Sequence, residues 1–290
     1  MDTALILKKK VRQGEKLSDQ QIDSLLRESQ IIESLLLADY QIDKFTGLRK
    51  LEFLLLELSE IPYTIRLEKT KTMLTDLIKG TKQVEGFSLS NGENGILACH
   101  QAMMTLIMIR FEEKELAEHG LNWIMRYQIT KKGEVCHWHG CDLYQRFGCV
   151  GKTPCYDGLA KSMKALSEFQ FRYGQEERIQ QKLSEGIAYI LEHEVYKTMD
   201  RSVTLGGDIT KLFYPYPYRT NLIELLTLLK SEKVLSDIRT TDAKAIILNK
   251  QNSDGSFNPE KTFMKTSWVV FDEMKKSGEW ISDEIEQLFI

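Results

Sequence analysis

The sequence predicts an all-α protein, and three observations carry that prediction. Apolar residues recur at helical spacing along almost the whole chain, and no run alternates apolar and polar residues over a useful length between turn signals. A phrase ending in glycine also recurs after helix-like stretches: Gln251, three residues, then Gly255-Ser256-Phe257, with echoes at Gln128…Gly133 and Gln83…Gly86-Phe87. Gln83, Gln128, His193 and Gln251 are separated by 45, 65 and 58 residues, a length that suits two helices and a connection. His193 stands where the third repeat would place its glutamine.

The elements follow in order. Ser18-x-x-Gln21 is a capping-box start, and Ile22, Leu25, Leu26, Ile32, Leu35 and Leu36 continue at helical spacing. A second helix, about Lys44 to Glu60, carries Leu48, Leu51, Leu55 and Leu58 on one face and stops before Pro62, making a helical hairpin with the first. Further helices are expected over Ile65 to Lys79, Gly95 to Arg110, Lys114 to Gln128 and Pro154 to Phe169. After them come Glu177 to Tyr196, Arg219 to Lys230, Thr241 to Lys250 and Phe263 to Lys276. In a repeat of helix pairs one helix faces outward and its partner inward, so the uncharged stretch from Asn94 to Ile109 is expected inside.

At 290 residues this repeat suits a single domain, 1–290, whose first part, 1–62, is a helical hairpin. A formal charge of -3 does not supply the basic surface that nucleic-acid binding needs, so no nucleic-acid partner is expected. The uncharged stretch contains Cys99, His100 and Gln101 and is shorter than the roughly 20 apolar residues of a bilayer span. Met1 to Lys10 has its apolar run before its lysines, the reverse of a signal peptide, so a cytoplasmic protein with reduced thiols is expected.

The Gln…Gly-x-aromatic phrase resembles the repeat of the terpenoid cyclase and protein prenyltransferase superfamily. The stretch from Asn94 onward is similar to small bacterial members of that group through Cys149-Val150-Gly151-Lys152-Thr153-Pro154-Cys155, Met163-Lys164-Ala165-Leu166 and Gly186-Ile187-Ala188-Tyr189-Ile190-Leu191. Phe213-Tyr214-Pro215-Tyr216, Asn221-Leu222-Ile223-Glu224-Leu225-Leu226 and Asp254-Gly255-Ser256-Phe257 extend it. The resemblance implies an α/α toroid of about five helix hairpins binding a hydrophobic, isoprenoid-class small molecule in its central cavity. An open HEAT-like superhelix of helix pairs is the alternative architecture. The chain lacks the Asp-x-Asp-Asp acid motif of squalene-type cyclases and the Asp-x-Cys zinc motif of prenyltransferase β subunits. That absence supports the alternative of a non-catalytic binding or scaffold protein, and enzymatic activity stays open.

Several constellations could carry chemistry. Cys136, His137, His139, Cys141, Cys149 and Cys155 fall within one short stretch, and thiolate and imidazole are the ligands zinc prefers. A closed set of four would be structural and three plus water catalytic, while thiols packed as small hydrophobes are the alternative. Thr153-Pro154 reads as a helix start, with Thr153 as N-cap and Cys155 and Asp157 in the first turn, where the helix dipole favours a reactive thiolate. Parallel inner helices would gather their N-termini around one mouth, with Asn94, Thr153, Asp157, Thr220, Asn221 and Thr266 as its rim. The other catalytic candidates are Asp142, near the cysteines, and His100, mid-helix in the uncharged stretch. Trp138, Tyr156, Tyr214, Tyr216, Trp268 and Met104 are candidates for an aromatic and apolar ligand pocket, since aromatic faces stabilise flat or cationic ligands.

Overall fold

The computed structural model describes residues 1–90, 92–138, 153–262 and 269–290. Among them are twelve α-helices and no β-strand: α1 Thr3–Arg12, α2 Asp19–Arg27, α3 Gln30–Leu37, α4 Phe45–Ser59, α5 Glu68–Thr81, α6 Ala98–Arg110, α7 Lys114–Tyr127, α8 Tyr156–Tyr173, α9 Glu177–Glu192, α10 Leu222–Ser231, α11 Thr241–Leu248 and α12 Glu279–Phe289. The all-α expectation holds. None of these helices is long and apolar enough to cross a membrane.

The expected capping box is present at α2, where Ser18 Oγ accepts from Gln21 N and Gln21 returns the bond to Ser18 N. The helix does not run on to Leu36, as the spacing predicts, but breaks at Ser29, whose buried hydroxyl caps α3 by accepting from Ile32 N. Asp2 enforces the break. Its carboxylate caps α1 through Ala4 N and also accepts from Ser29 Oγ and Ile31 N, so one side chain serves two helix starts.

From α4 onward the helices pack in sequence. α4 lies on α5 and α6; α6 on α7 and α8; α8 on α9 and α10; and α10 on α11 and α12. Side-chain bonds from Lys8 to Glu284 and from Arg12 to Asp283 link α12 to α1, which packs on α3, itself against α4. Of these helices α6 is the most enclosed: every residue from Ala98 to Ile109 is buried, which places the uncharged stretch inside as expected. Met104 is among them, 1% exposed.

The recurring glycine phrase has a local cause. After α5 and α11 the chain doubles back in tight turns, closed by isolated antiparallel bridges between Lys82 and Phe87 and between Gln251 and Phe257. Gly86 and Gly255 occupy those turns at φ values of 71° and 86°, a left-handed backbone that side chains disfavour. At Gly86 a Cβ would also stand 2.6 Å from Gln101 Oε1, the atom that accepts from Phe87 N and ties the turn to α6.

The C-terminal region departs from expectation. The part of the expected helix over Phe263 to Lys276 that is described, residues 269–276, is turn and bend, and the last helix lies further on as α12. Asp272 accepts from Trp280 N and Ile281 N, satisfying the first turn of α12 from outside, so Asp272 acts as a cap and not as a helical residue.

Glu57 on α4 is 4% exposed and its Oε2 has no hydrogen-bond partner, and burial pushes its carboxyl well above the usual range. A raised folded-state value means that folding takes up a proton between the unfolded value, about 4.3, and the folded one, so this group's contribution worsens as pH rises through that window. Glu57→Leu should gain about 1 kcal/mol at neutral pH by removing an unsatisfied buried acceptor. Melting curves at several pH values would show that gain growing from pH 4 upward, and a loss of stability at neutral pH would contradict it.

Candidate functional site

A cavity of about 210 Å³ opens where the N-terminal ends of α4, α6 and α8 meet the segment leading into α10. Each wall has a local origin. Phe45 and Arg49 come from the first turns of α4, Leu97 is the N-cap of α6, and His100 lies in the first turn of that helix. Tyr218 and Arg219 precede Asn221, whose carboxamide caps α10 by accepting from Glu224 N. Cys155 and Asp157 sit at the start of α8, with Cys99 beside them.

Cys155 itself is the N-cap, in extended backbone, and α8 begins at Tyr156. The expectation of Thr153 as N-cap is therefore corrected by two residues. Asp157 remains in the first turn, and its carboxylate accepts from Thr220 N at 3.0 Å and Arg219 Nη1 at 3.1 Å, pinning the approach to α10 against α8. Burial raises the Asp157 carboxyl, against the pull of Thr220 and Arg219.

His100 is 5% exposed, and its Nδ1 is engaged by Glu52 Oε2 on α4. Its ring is held between Phe53 at 5.8 Å and Tyr218 at 6.4 Å, the latter stacked. Glu52 is fully buried and its second oxygen has no partner; burial raises its carboxyl, while His100 and Arg49 pull it back. Burial likewise pushes the Cys99 thiol well up, with Cys155 and Asp157 adding to the rise. Cys99, Cys136 and Cys155 are not joined in disulfides.

Three of the four catalytic candidates, Cys155, Asp157 and His100, thus meet at one cavity. The fourth, Asp142, lies outside the described residues, together with His139, Cys141, Cys149, Trp268 and Thr266. Of the remaining zinc candidates, Cys136 donates to Tyr127 O and His137 is exposed. Among the described residues no group of three His, Cys, Asp or Glu side chains could hold a metal ion.

The aromatic candidates are placed elsewhere. Trp138 packs edge-on against Trp123 and Tyr127 at the end of α7, and the Tyr156 hydroxyl donates to Val195 O. Tyr214 and Tyr216 are buried beside Lys8, Lys161 and Lys164, and Met104 lies in the core. Of the rim residues, Thr220 and Asn221 adjoin the cavity through Asp157 and the α10 cap, whereas Asn94 and Thr153 are exposed. Phe45, Arg49, Glu52 and Arg219 were not singled out in the sequence. Glu52 alone carried a signal, a charge within the apolar run Leu51 to Leu58 of α4.

A second polar centre lies at the C-terminal ends of α4 and α6, against the body of α8 and the first turn of α10. Glu60 Oε1 is 2.7 Å from Arg110 Nη1, and Glu60 also faces Lys8 at 3.6 Å and Lys164 at 3.8 Å. Arg110 makes a two-pronged pair with Glu168, while Glu224 takes both Lys161 and Lys164. Four cations, Lys8, Arg110, Lys161 and Lys164, thus meet four carboxylates, those of Glu60, Glu168, Glu224 and Glu284. The centre balances its own charge and joins α1, α4, α6, α8, α10 and α12. Comparison with protein-family models, curated proteins and solved structures finds no match to this chain.

Proposed function

We propose that the chain is an α/α toroid of five helix hairpins, of the terpenoid cyclase and prenyltransferase kind, which binds a small isoprenoid-class ligand at the mouth formed by its inner helix ends. What supports the architecture is the succession in which α4, α6, α8 and α10 neighbour one another while α5, α7, α9 and α11 pack outside them, together with the side-chain links from α12 to α1. The observation that carries the ligand reading is the cavity. Phe45, Leu97 and Tyr218 offer it apolar and aromatic surface, and Arg49 and Arg219 bring two guanidiniums to the same opening. Such a combination suits a hydrocarbon chain with an anionic head, because guanidinium pairs with phosphate in a planar, two-pronged fashion. At about 210 Å³ the cavity is below the roughly 300–1,000 Å³ of drug-sized pockets, so about one or two isoprene units fit better than three or four.

Calorimetric titration of the full chain with dimethylallyl, geranyl and farnesyl diphosphate tests this. We expect one geranyl diphosphate per chain, bound more tightly than farnesyl diphosphate, with affinity falling about tenfold or more in Arg49→Ala, the cost of one lost charged contact. If none of the three binds, the reading fails and weight passes to the non-catalytic scaffold, which the missing acid and zinc motifs already favour.

A further inference from the structure

We propose that this cavity is a thiol acyl-transfer site, with Cys155 as nucleophile, His100 as its general base and Glu52 positioning His100, acting on an ester or thioester that carries an anionic group. The proposal rests on the cavity being a ligand site, but not on the ligand being an isoprenoid.

The geometry points this way on three grounds. First, His100 lines the cavity although it is 5% exposed, and its Nδ1 is committed to a fully buried carboxylate. With Nδ1–H donating to Glu52, the lone pair of Nε2 is the basic position left on the ring, and Phe53 and Tyr218 fix the plane in which it points. A base oriented by a third group, with a nucleophile at the same cavity, is the arrangement that activates weak nucleophiles.

Second, Cys155 caps α8, a helix of 18 residues, so its sulfur stands at the positive end of the helix dipole. The first amides of α8, at Tyr156, Asp157 and Gly158, have no partner within the helix. They are the kind of backbone donor that stabilises the oxyanion of an acyl-transfer intermediate beside the nucleophile.

Third, the close approach of the α6 and α8 starts depends on Gly158. A Cβ there would stand 2.9 Å from Ala98 Cβ and 3.5 Å from Cys99 N, so the missing side chain is what lets His100 and Cys155 share one cavity. Cys99, the other thiol at the cavity, is 8% exposed and held protonated by burial, which leaves Cys155 as the reacting sulfur.

In the reaction, the Cys155 thiol gives its proton to His100 Nε2 as Sγ forms a bond to the acyl carbon and the carbonyl electron pair moves onto oxygen. When that pair returns, the bond to the alkoxide or thiolate leaving group breaks, and the leaving group takes the proton from His100. Water, losing a proton to His100, then attacks the acyl-cysteine; the carbon–sulfur bond breaks, the carboxylic acid departs and Cys155 recovers its proton. Arg49 and Arg219 would hold the anionic group of the natural substrate at the opening.

The test uses the full chain and p-nitrophenyl acetate as the acyl probe. We expect a burst of nitrophenolate equal to the amount of chain, with mass spectrometry locating the acetyl group on Cys155 and Cys155→Ser abolishing the burst. His100→Asn should lower the acylation rate roughly 100-fold, the usual worth of a general base. Glu52→Gln should lower kcat with KM unchanged, a split that a merely structural role would not give. Should a His100 variant fail to fold, alkylation of the unmodified chain by iodoacetamide still decides: Cys155 should react faster than the half-buried Cys136 of the same molecule. An acetyl group found elsewhere, or Cys155 alkylated no faster than Cys136, overturns the proposal. If geranyl diphosphate binds while no acyl-cysteine forms, the chemistry is refuted and the ligand reading stands.

Discussion

Replacing Met104 by aspartate is expected to unfold the protein at ordinary temperature. Met104 sits in the middle of α6, 1% exposed, on a helix whose residues from Ala98 to Ile109 are all buried against α4, α7 and α8. A carboxylate at that position loses its hydration among apolar side chains, which costs several kcal/mol even after the group relaxes or takes up a proton. Set against a total stability of about 5–15 kcal/mol, that loss removes much or all of the margin. Met104→Leu is the control: it keeps volume and polarity and should cost less than about 1.5 kcal/mol. Thermal unfolding followed by circular dichroism separates the cases. An aspartate variant melting within a degree or two of the parent would place this face of α6 in water and reverse the inside–outside assignment.

Much of the helical framework was legible because it is written in local patterns. The apolar stripe of α4, the uncharged run of α6 and the capping box of α2 each depend on residues within a few turns of one another. The break at Ser29 was not, because Asp2 causes it from 27 residues away, and the helical spacing on either side of Ser29 continues unbroken. The last helix could have been found: Trp280, Ile281, Ile285 and Leu288 recur at helical spacing and are all buried. The helical spacing over Phe263 to Lys276 points to a different helix, yet Asp272 within it folds back to cap α12. At the cavity, His100, Cys155 and Asp157 stood out by residue type and position. Their partners did not, since Glu52 lies 48 residues from His100 and Arg219 lies 62 from Asp157, and nothing in the sequence pairs them.

The charged centre was the least legible feature, and removing one carboxylate from it should have the second large effect. Glu60 follows the last turn of α4, its side chain only 17% exposed, and it faces Arg110, Lys8 and Lys164 from three other helices. Burial alone would raise its carboxyl, but Arg110, Lys164 and Lys8 together outweigh that and hold it far below the ordinary carboxylate range. Glu60→Ala leaves these cations with one carboxylate fewer in a region that water scarcely reaches, and breaking a buried pair in this way costs about 3–5 kcal/mol. Glu60→Gln keeps the shape and a hydrogen-bond acceptor and should cost less. The pH dependence has a definite sign. A carboxyl depressed in the folded state binds its proton more readily in the unfolded chain, so its stabilisation is complete above the unfolded value of about 4.3 and fades as pH falls below it toward the folded value. Urea unfolding of the parent and of Glu60→Gln should therefore differ most at neutral pH and converge on acidification. A difference that stayed constant from pH 7 to pH 3 would mean that Glu60 acts through shape alone and that the ionic ties of α4 to α1, α6 and α8 add nothing to stability.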